Sequence, residues 1–259
     1  MKDRPHRVDL ADVIRWHLES ERAFGMHELP LSGLRPVSHG EGAAAAAPTE
    51  VGRDGAHPSK TSSEPSSDPD VPAALEAIAG RIAACTACRL SESRTHAVPG
   101  QGNPRARLMF VGEAPGRDED LQGLAFVGRS GQLLTRMIEA LGLRRDDVFI
   151  ANVIKCRPPE NRDPAADEVQ ACFHFLMDQI DLVRPEVICT LGGCATNNLL
   201  GRSDPMHRMR GRVFPFRGAQ VVPTYHPSYL LRRPEEKRKA WADLQVAARL
   251  LGLEVPRKS

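Results

Sequence analysis

The sequence has no hydrophobic run approaching the roughly twenty apolar residues that a membrane span requires. Its first residues, MKDRPHRVDL, lack the apolar stretch of a secretory signal. No membrane role is expected, and a cytoplasmic address is. A large excess of one charge is also missing: the net charge is +2, which neither demands nor excludes a nucleic-acid partner. Its distribution is more informative. Residues 1–70 carry 8 Lys/Arg against 12 Asp/Glu, leaving 27 basic against 21 acidic residues in the remainder. A moderately basic body behind an acidic tail suits a small phosphate footprint. Apolar side chains are almost absent from about residue 36 to residue 70, where GEGAAAAAP and SSEPSSDPD read as a disordered low-complexity linker. No internal repeat is visible.

What is present is the composition of a globular protein, 41% hydrophobic and 26% charged over 259 residues. Residues 1–35 are expected to hold one short amphipathic helix, with Asp9 as its cap and Leu10, Val13, Ile14 and Leu18 at helical spacing. The folded body is expected over residues 71–259. It opens with a helix whose face is Leu75, Ile78 and Ile82. Short apolar runs LMFVG, VFIANVI, EVICTLG and VVPTYH then read as strands buried on both faces. Helical stretches separate them: Ser130 to Leu141, Ala165 to Val183 and Ala195 to Leu200, with a last helix from about Pro234 to Leu251. Alternating strands and helices predict a three-layer α/β/α fold around a mostly parallel, four-stranded sheet.

Each strand runs into a polar, turn-rich sequence: GEAPGRDED, KCRPPENRDP, GGCATNN and YHPSYLLRR. In an open parallel sheet ligands bind beyond the carboxyl ends of the strands, so these four segments are expected to converge on one site. Turn-making explains Gly112, Pro115 and Gly116. It leaves Glu113, Asn152 and His226 without a purely structural reason to stand at strand ends.

Among six cysteines, Cys85 and Cys88 form a C-x-x-C, and Cys156 and Cys172 lie 16 positions apart. In a reducing compartment four such thiols suit an iron-sulfur cluster or a structural zinc, and the spacing alone does not choose between them. Cys189, inside an apolar strand, and Cys194, at a helix start, read as packing residues.

At this point GEAPGRDEDLQGLAFVGRSGQLL, NVIKCRPPENRDP and HPSYLLR, with the four cysteines, closely resemble the bacterial-type family 4 uracil-DNA glycosylases, over roughly Leu75 to Leu251. The resemblance implies one structural 4Fe-4S cluster held by Cys85, Cys88, Cys156 and Cys172. It implies hydrolysis of the N-glycosidic bond of a flipped uracil in single- or double-stranded DNA, by a monomer, leaving an abasic site for base excision repair. It places the uracil pocket on Gly112, Glu113, Ala114, Phe126, Asn152 and His226. Asn152 reads the base edge, Phe126 stacks on the ring, Glu113 crowds the position of thymine's methyl group, and His226 contacts the carbonyl nearest the sugar. Tyr229, Leu230, Leu231 and Arg232, expected on an exposed turn, are implied to enter the minor groove. Arg129, Arg157 and Lys237 to Lys239 are candidate phosphate contacts.

Two departures qualify the resemblance. Ala114 stands where some relatives carry a water-activating Asp or Asn, which favours a dissociative route with little base assistance. Ala125 replaces a Pro common before the stacking aromatic. The competing readings are a non-catalytic or covalently trapping iron-sulfur protein that binds uracil-containing DNA, and an unrelated zinc-stabilised hydrolase. KCRPPENRDP lacks the basic, His-containing insertion of the trapping group, which favours turnover.

Overall fold

A computed structural model describes residues 70–254. The expected N-terminal helical extension (1–35) and nearly all of the expected linker (36–70) lie outside the described residues. In chain order the elements are α1 (Val71–Ala84), α2 (Leu90–Ser93), β1 (Gln101–Gly102), β2 (Leu108–Gly112), α3 (Arg117–Gln122), α4 (Arg129–Ala140), β3 (Phe149–Asn152) and α5 (Ala166–Val183). There follow β4 (Val187–Leu191), α6 (Gly193–Leu200), α7 (Met206–Met209), β5 (Phe214–Phe216), β6 (Ala219–Thr224), α8 (Pro227–Arg232) and α9 (Lys237–Leu250).

The sheet has six strands in the order β1-β3-β2-β4-β6-β5. Its inner four are the anticipated apolar runs, all parallel. The two outer strands are antiparallel additions that the four-strand expectation omits. β1 is only two residues long, too short for a periodic signal. β5 carries Pro215 at its centre, which an edge strand tolerates because its outer donors have no ladder to serve. Its hairpin to β6 turns on Arg217 and Gly218, both at positive φ (46° and 83°), the backbone that a two-residue turn requires.

Strand side chains alternate between two cores, which makes the sheet the middle of three layers. Leu108, Phe110, Ile150, Cys189 and Val222 face α4, α8 and α9 through Leu134, Met137, Ile138, Leu230, Trp241 and Leu244. Met109, Val111, Ala151, Ile188 and Val221 face α1, α5 and α6 through Ile78, Ile82, Leu176, Ile180 and Leu199. This explains why β2 and β4 are apolar at every position. Asp70 caps α1, its carboxylate accepting from the Ala73 amide at 3.5 Å, with Pro72 in the first turn. From β2 the chain moves to β3 on one side and then crosses to β4 on the other. The crevice at that switch point lies beyond the carboxyl ends of the strands. Among the described residues no helix is long and apolar enough to cross a membrane.

Candidate active site

A cleft of about 720 Å³ opens there, and all four strand-end segments reach it. Glu113 and Ala114 come from the end of β2, Asn152 from β3, Gly192 and Gly193 from β4, and Tyr225 and His226 from β6. The expected convergence is observed.

Gly112 lies between two of the candidate side chains. A Cβ built on it would stand 2.4 Å from Asn152 Oδ1 and 2.5 Å from Phe126 Cζ. The missing side chain is therefore what lets the amide and the ring approach each other. Asn152 is buried, yet its Oδ1 has no hydrogen-bond partner. An acceptor left unpaired in a dry site costs on the order of 1–3 kcal/mol, a cost that a ligand donating to it would recover. The Asn152 backbone carbonyl accepts from the Lys155 ammonium at 2.8 Å, which fixes the end of β3.

Phe126 sits at φ 53°, a left-handed conformation unusual for an aromatic residue. Its loop is braced from two sides. Glu119, at the third turn position of α3, accepts from the amides of Gly116 (3.2 Å), Val127 (2.9 Å) and Gly128 (3.0 Å). Arg145 donates to the Ala125 carbonyl. Gly131 must lack a side chain because a Cβ there would fall 1.9 Å from the Phe126 carbonyl oxygen. GEAPGRDED, read as a turn, thus contains the short helix α3, and Glu119 is spent on holding the loop, so it is not a free base.

His226 faces Phe126 with ring centroids 5.7 Å apart. The Ser228 amide donates to His226 Nδ1 at 3.1 Å. A backbone N–H can only donate, so Nδ1 is the acceptor and the ring proton resides on Nε2. Burial, with the nearby Arg232 charge, pushes the imidazole pKa down to about 4, so the ring is neutral at physiological pH. Behind it Gly192, at φ 92°, leaves room for the His226 Cβ, which would lie 3.1 Å from any Cβ added there. Glu113 is half-buried at the cleft wall. Burial first, and the Asp163 carboxylate second, raise its pKa, opposed by a hydrogen bond from Cys194. Cys189 is fully buried and its thiol pKa is raised, in line with an inert core residue.

The segment after His226 differs from expectation. It is helix α8, started by Pro227 in its first turn, and not an exposed turn. Leu230 is fully buried in the core against α4 and α9, so its assignment to a groove-entering surface is corrected: helical geometry turns it inward, away from its neighbours. Tyr229 and Arg232 do line the cleft, and Leu231 is partly exposed. Of the candidate phosphate contacts, Lys239 is paired with Glu236 at 2.9 Å, and Arg157 donates to Asn161 Oδ1 at 2.8 Å.

Cys85, Cys88, Cys156 and Cys172 come together around a second, small cavity, away from the cleft. Arg94 Nη1 donates to Cys156 Sγ at 3.0 Å, and the Lys155 amide donates to Cys172 Sγ at 3.3 Å. Burial pushes the Cys172 thiol up to about 11 and raises that of Cys156. Among the described residues no three His, Cys, Asp or Glu side chains are grouped as a single-ion site.

Four residues that matter to the site were not singled out in the sequence: Glu119, Arg145, Ser228 and Lys155. Ser228 was within reach of the motif HPS, but Glu119 and Arg145 act across 8 and 20 positions, where no local pattern reports.

Comparison with known proteins agrees with this geometry. Residues 99–245 match the model of the uracil DNA glycosylase superfamily. A type-4 uracil-DNA glycosylase of Archaeoglobus fulgidus is 42% identical over 190 residues, covering 70% of this chain and 96% of that protein. One from Thermotoga maritima is 46% identical over 168 residues, 64% of this chain and 88% of that protein. A type-5 uracil-DNA glycosylase of Pyrobaculum aerophilum is more distant, 35% identical over 151 residues, 51% of this chain and 66% of that protein. With the cleft at the switch point and a family match across it, the chain belongs to the uracil DNA glycosylase superfamily, among its type-4 uracil-DNA glycosylases.

Proposed function

We propose that this protein excises uracil from single- and double-stranded DNA as a monomer, cleaving the N-glycosidic bond and leaving an abasic site for repair. The observation that carries the reading is the buried, unpartnered Asn152 Oδ1 beside Phe126 and His226. Uracil presents a donor at its ring NH, which matches that oxygen, whereas cytosine presents an acceptor there and would be repelled. Phe126 offers a stacking face. Glu113, on the wall, crowds the ring edge where thymine carries a methyl group.

When the C1′–N1 bond breaks, its electron pair leaves with the base, and negative charge gathers on the carbonyl next to the sugar. A neutral His226 with its proton on Nε2 is a donor suited to that oxygen, and it needs no protonation to act. Water then adds to the sugar and loses a proton. Ala114 supplies no carboxylate to assist, and Glu119 is engaged with three amides, which supports the dissociative course. Tyr229 and Arg232 line the cleft, placed to contact the DNA from which the base is drawn.

The same reading gives Cys85, Cys88, Cys156 and Cys172 one 4Fe-4S cluster. Its support is the convergence of four sulfurs on one cavity and the N–H donors aimed at two of them. Burial raises the Cys156 and Cys172 thiol pKa values, so their ionisation calls for nearby positive charge, which a metal supplies. When bound, the cluster supplies a cross-link between α1, the end of β3 and α5, not a chemical step.

The test is incubation with a uracil-containing oligonucleotide followed by alkali. Strand scission at the uracil is expected; intact strands from protein loaded with iron and sulfide would refute the activity. Tight binding without product would point to the non-catalytic alternative.

A further inference from the structure

Lys155 is 1% exposed, and among the described residues its ammonium has two neutral acceptors, the Asn152 carbonyl at 2.8 Å and Gln179 Oε1 at 2.7 Å. Gln179 is held in turn by donating to the Pro99 carbonyl at 2.7 Å. Of the other buried ionic groups, Glu119 and Asp120 are carboxylates that accept from backbone amides, and two are ion-paired. Glu168 pairs with Arg89 and Arg162, and Asp243 with Arg210. Lys155 has no carboxylate partner among the described residues. An isolated buried cation is costly and persists only where opposite charge compensates it. Lys155 lines the four-cysteine cavity, and its own amide donates to Cys172 Sγ.

We infer that Lys155 is a positioning residue with two duties: its ammonium is the internal counter-charge of the four-thiolate site, and the same ammonium clamps the Asn152 carbonyl that holds the base-reading amide. The inference rests on the reading that the four cysteines hold an iron-sulfur cluster. One side chain then connects the four-cysteine cavity to the cleft. Four thiolates around a cluster leave net negative charge, and Lys155 balances it together with Arg94, which donates to Cys156. If the metal site lost its negative charge, the ammonium would lose its reason to stay buried, and Asn152 would lose its anchor.

The test compares the full-length wild type, Lys155→Met and Gln179→Glu. Iron and sulfide content, the reduction potential of the cluster, its half-life in the presence of chelator, and single-turnover excision at saturating DNA are measured. Removing the cation in Lys155→Met is expected to move the potential to a more negative value and shorten the chelator half-life. It should also slow excision about tenfold or more, as loss of a charged hydrogen bond implies, with DNA affinity changed by less than about twofold. Gln179→Glu keeps the lysine but gives it a competing carboxylate. It is expected to shift the potential in the same direction and covers the case in which Lys155→Met does not fold. A loaded Lys155→Met with wild-type potential and half-life, or in its place a loaded Gln179→Glu with wild-type potential, overturns the counter-charge role. A loaded Lys155→Met with wild-type excision overturns the clamp. Wild-type protein without iron and sulfide overturns the cluster reading itself, and this assignment with it.

Discussion

Replacing Gly112 by Ala puts one methyl group where the site has none to spare. The added carbon would lie 2.4 Å from Asn152 Oδ1, 2.5 Å from Phe126 Cζ and 2.7 Å from Phe126 Cε2. Ordinary contact for such atoms is about 3.5 Å, so the amide, the ring or both must retreat by about 1 Å. Neither has an easy path. Asn152 is anchored through its carbonyl to Lys155, and Phe126 stands in a loop tied at Ala125, Val127 and Gly128. Overpacking of this kind costs about 1–3 kcal/mol of stability, leaving the protein folded. A displacement near 1 Å in groups that grip the reacting base costs about a hundredfold in rate. Gly112→Ala is therefore expected to lower single-turnover uracil excision about a hundredfold. Its melting temperature should fall by only a few degrees, read on the same preparation. Gly80→Ala is the matched control: nothing lies within 4 Å of its added carbon, in the middle of α1. It should excise at the wild-type rate and gain about 0.5–1 kcal/mol of stability. Wild-type excision by Gly112→Ala would show that Asn152 and Phe126 do not grip the base across that glycine.

Because the His226 pKa is lowered to about 4, excision should stay flat with respect to this group from pH 8 down to about pH 5 and fall only near pH 4. A rate that halves near pH 6.5 would mean that the imidazole is not held neutral. The sign for stability follows from the same shift. Between pH 6.5 and 4 the unfolded chain takes up a proton that the folded one refuses, so this group lowers stability as the pH falls through that window. Glu113→Gly should admit bulkier pyrimidines, measured as release of thymine from a thymine-containing oligonucleotide; continued rejection would remove Glu113 from the selectivity argument. Asp243→Ala leaves the Arg210 guanidinium, which is 19% exposed, without its carboxylate, keeping only the Lys239 carbonyl and the Tyr225 ring among the described residues. Breaking such a pair costs about 3–5 kcal/mol, to be read by denaturant unfolding, and a change below about 1 kcal/mol would refute the buried-pair description.

Much of this molecule was legible locally. β2, β3, β4 and β6 announce themselves because strands covered on both faces must be apolar at nearly every position, and α4 because its Leu133, Leu134, Met137 and Ile138 recur on one stripe. The strand-end positions of Glu113, Asn152 and His226 followed from the same pattern, since a parallel sheet delivers all its carboxyl ends to one edge. β1 and β5 escaped because two or three edge residues carry no period. Helix α8 escaped because its Tyr, Leu, Leu and Arg read equally well as an exposed turn, and only the core beneath decides that Leu230 points inward.

The sequence by itself determined the α/β alternation and the edge on which the site lies, because these depend on residue type and short-range order. Tertiary structure decided the rest. The His226 proton is placed by the Ser228 amide, the Phe126 backbone by Glu119 and Arg145, and the Asn152 carbonyl by a buried lysine beside the cysteines. Each of these is a contact whose energy depends on burial and direction, and neither exists until the chain has folded.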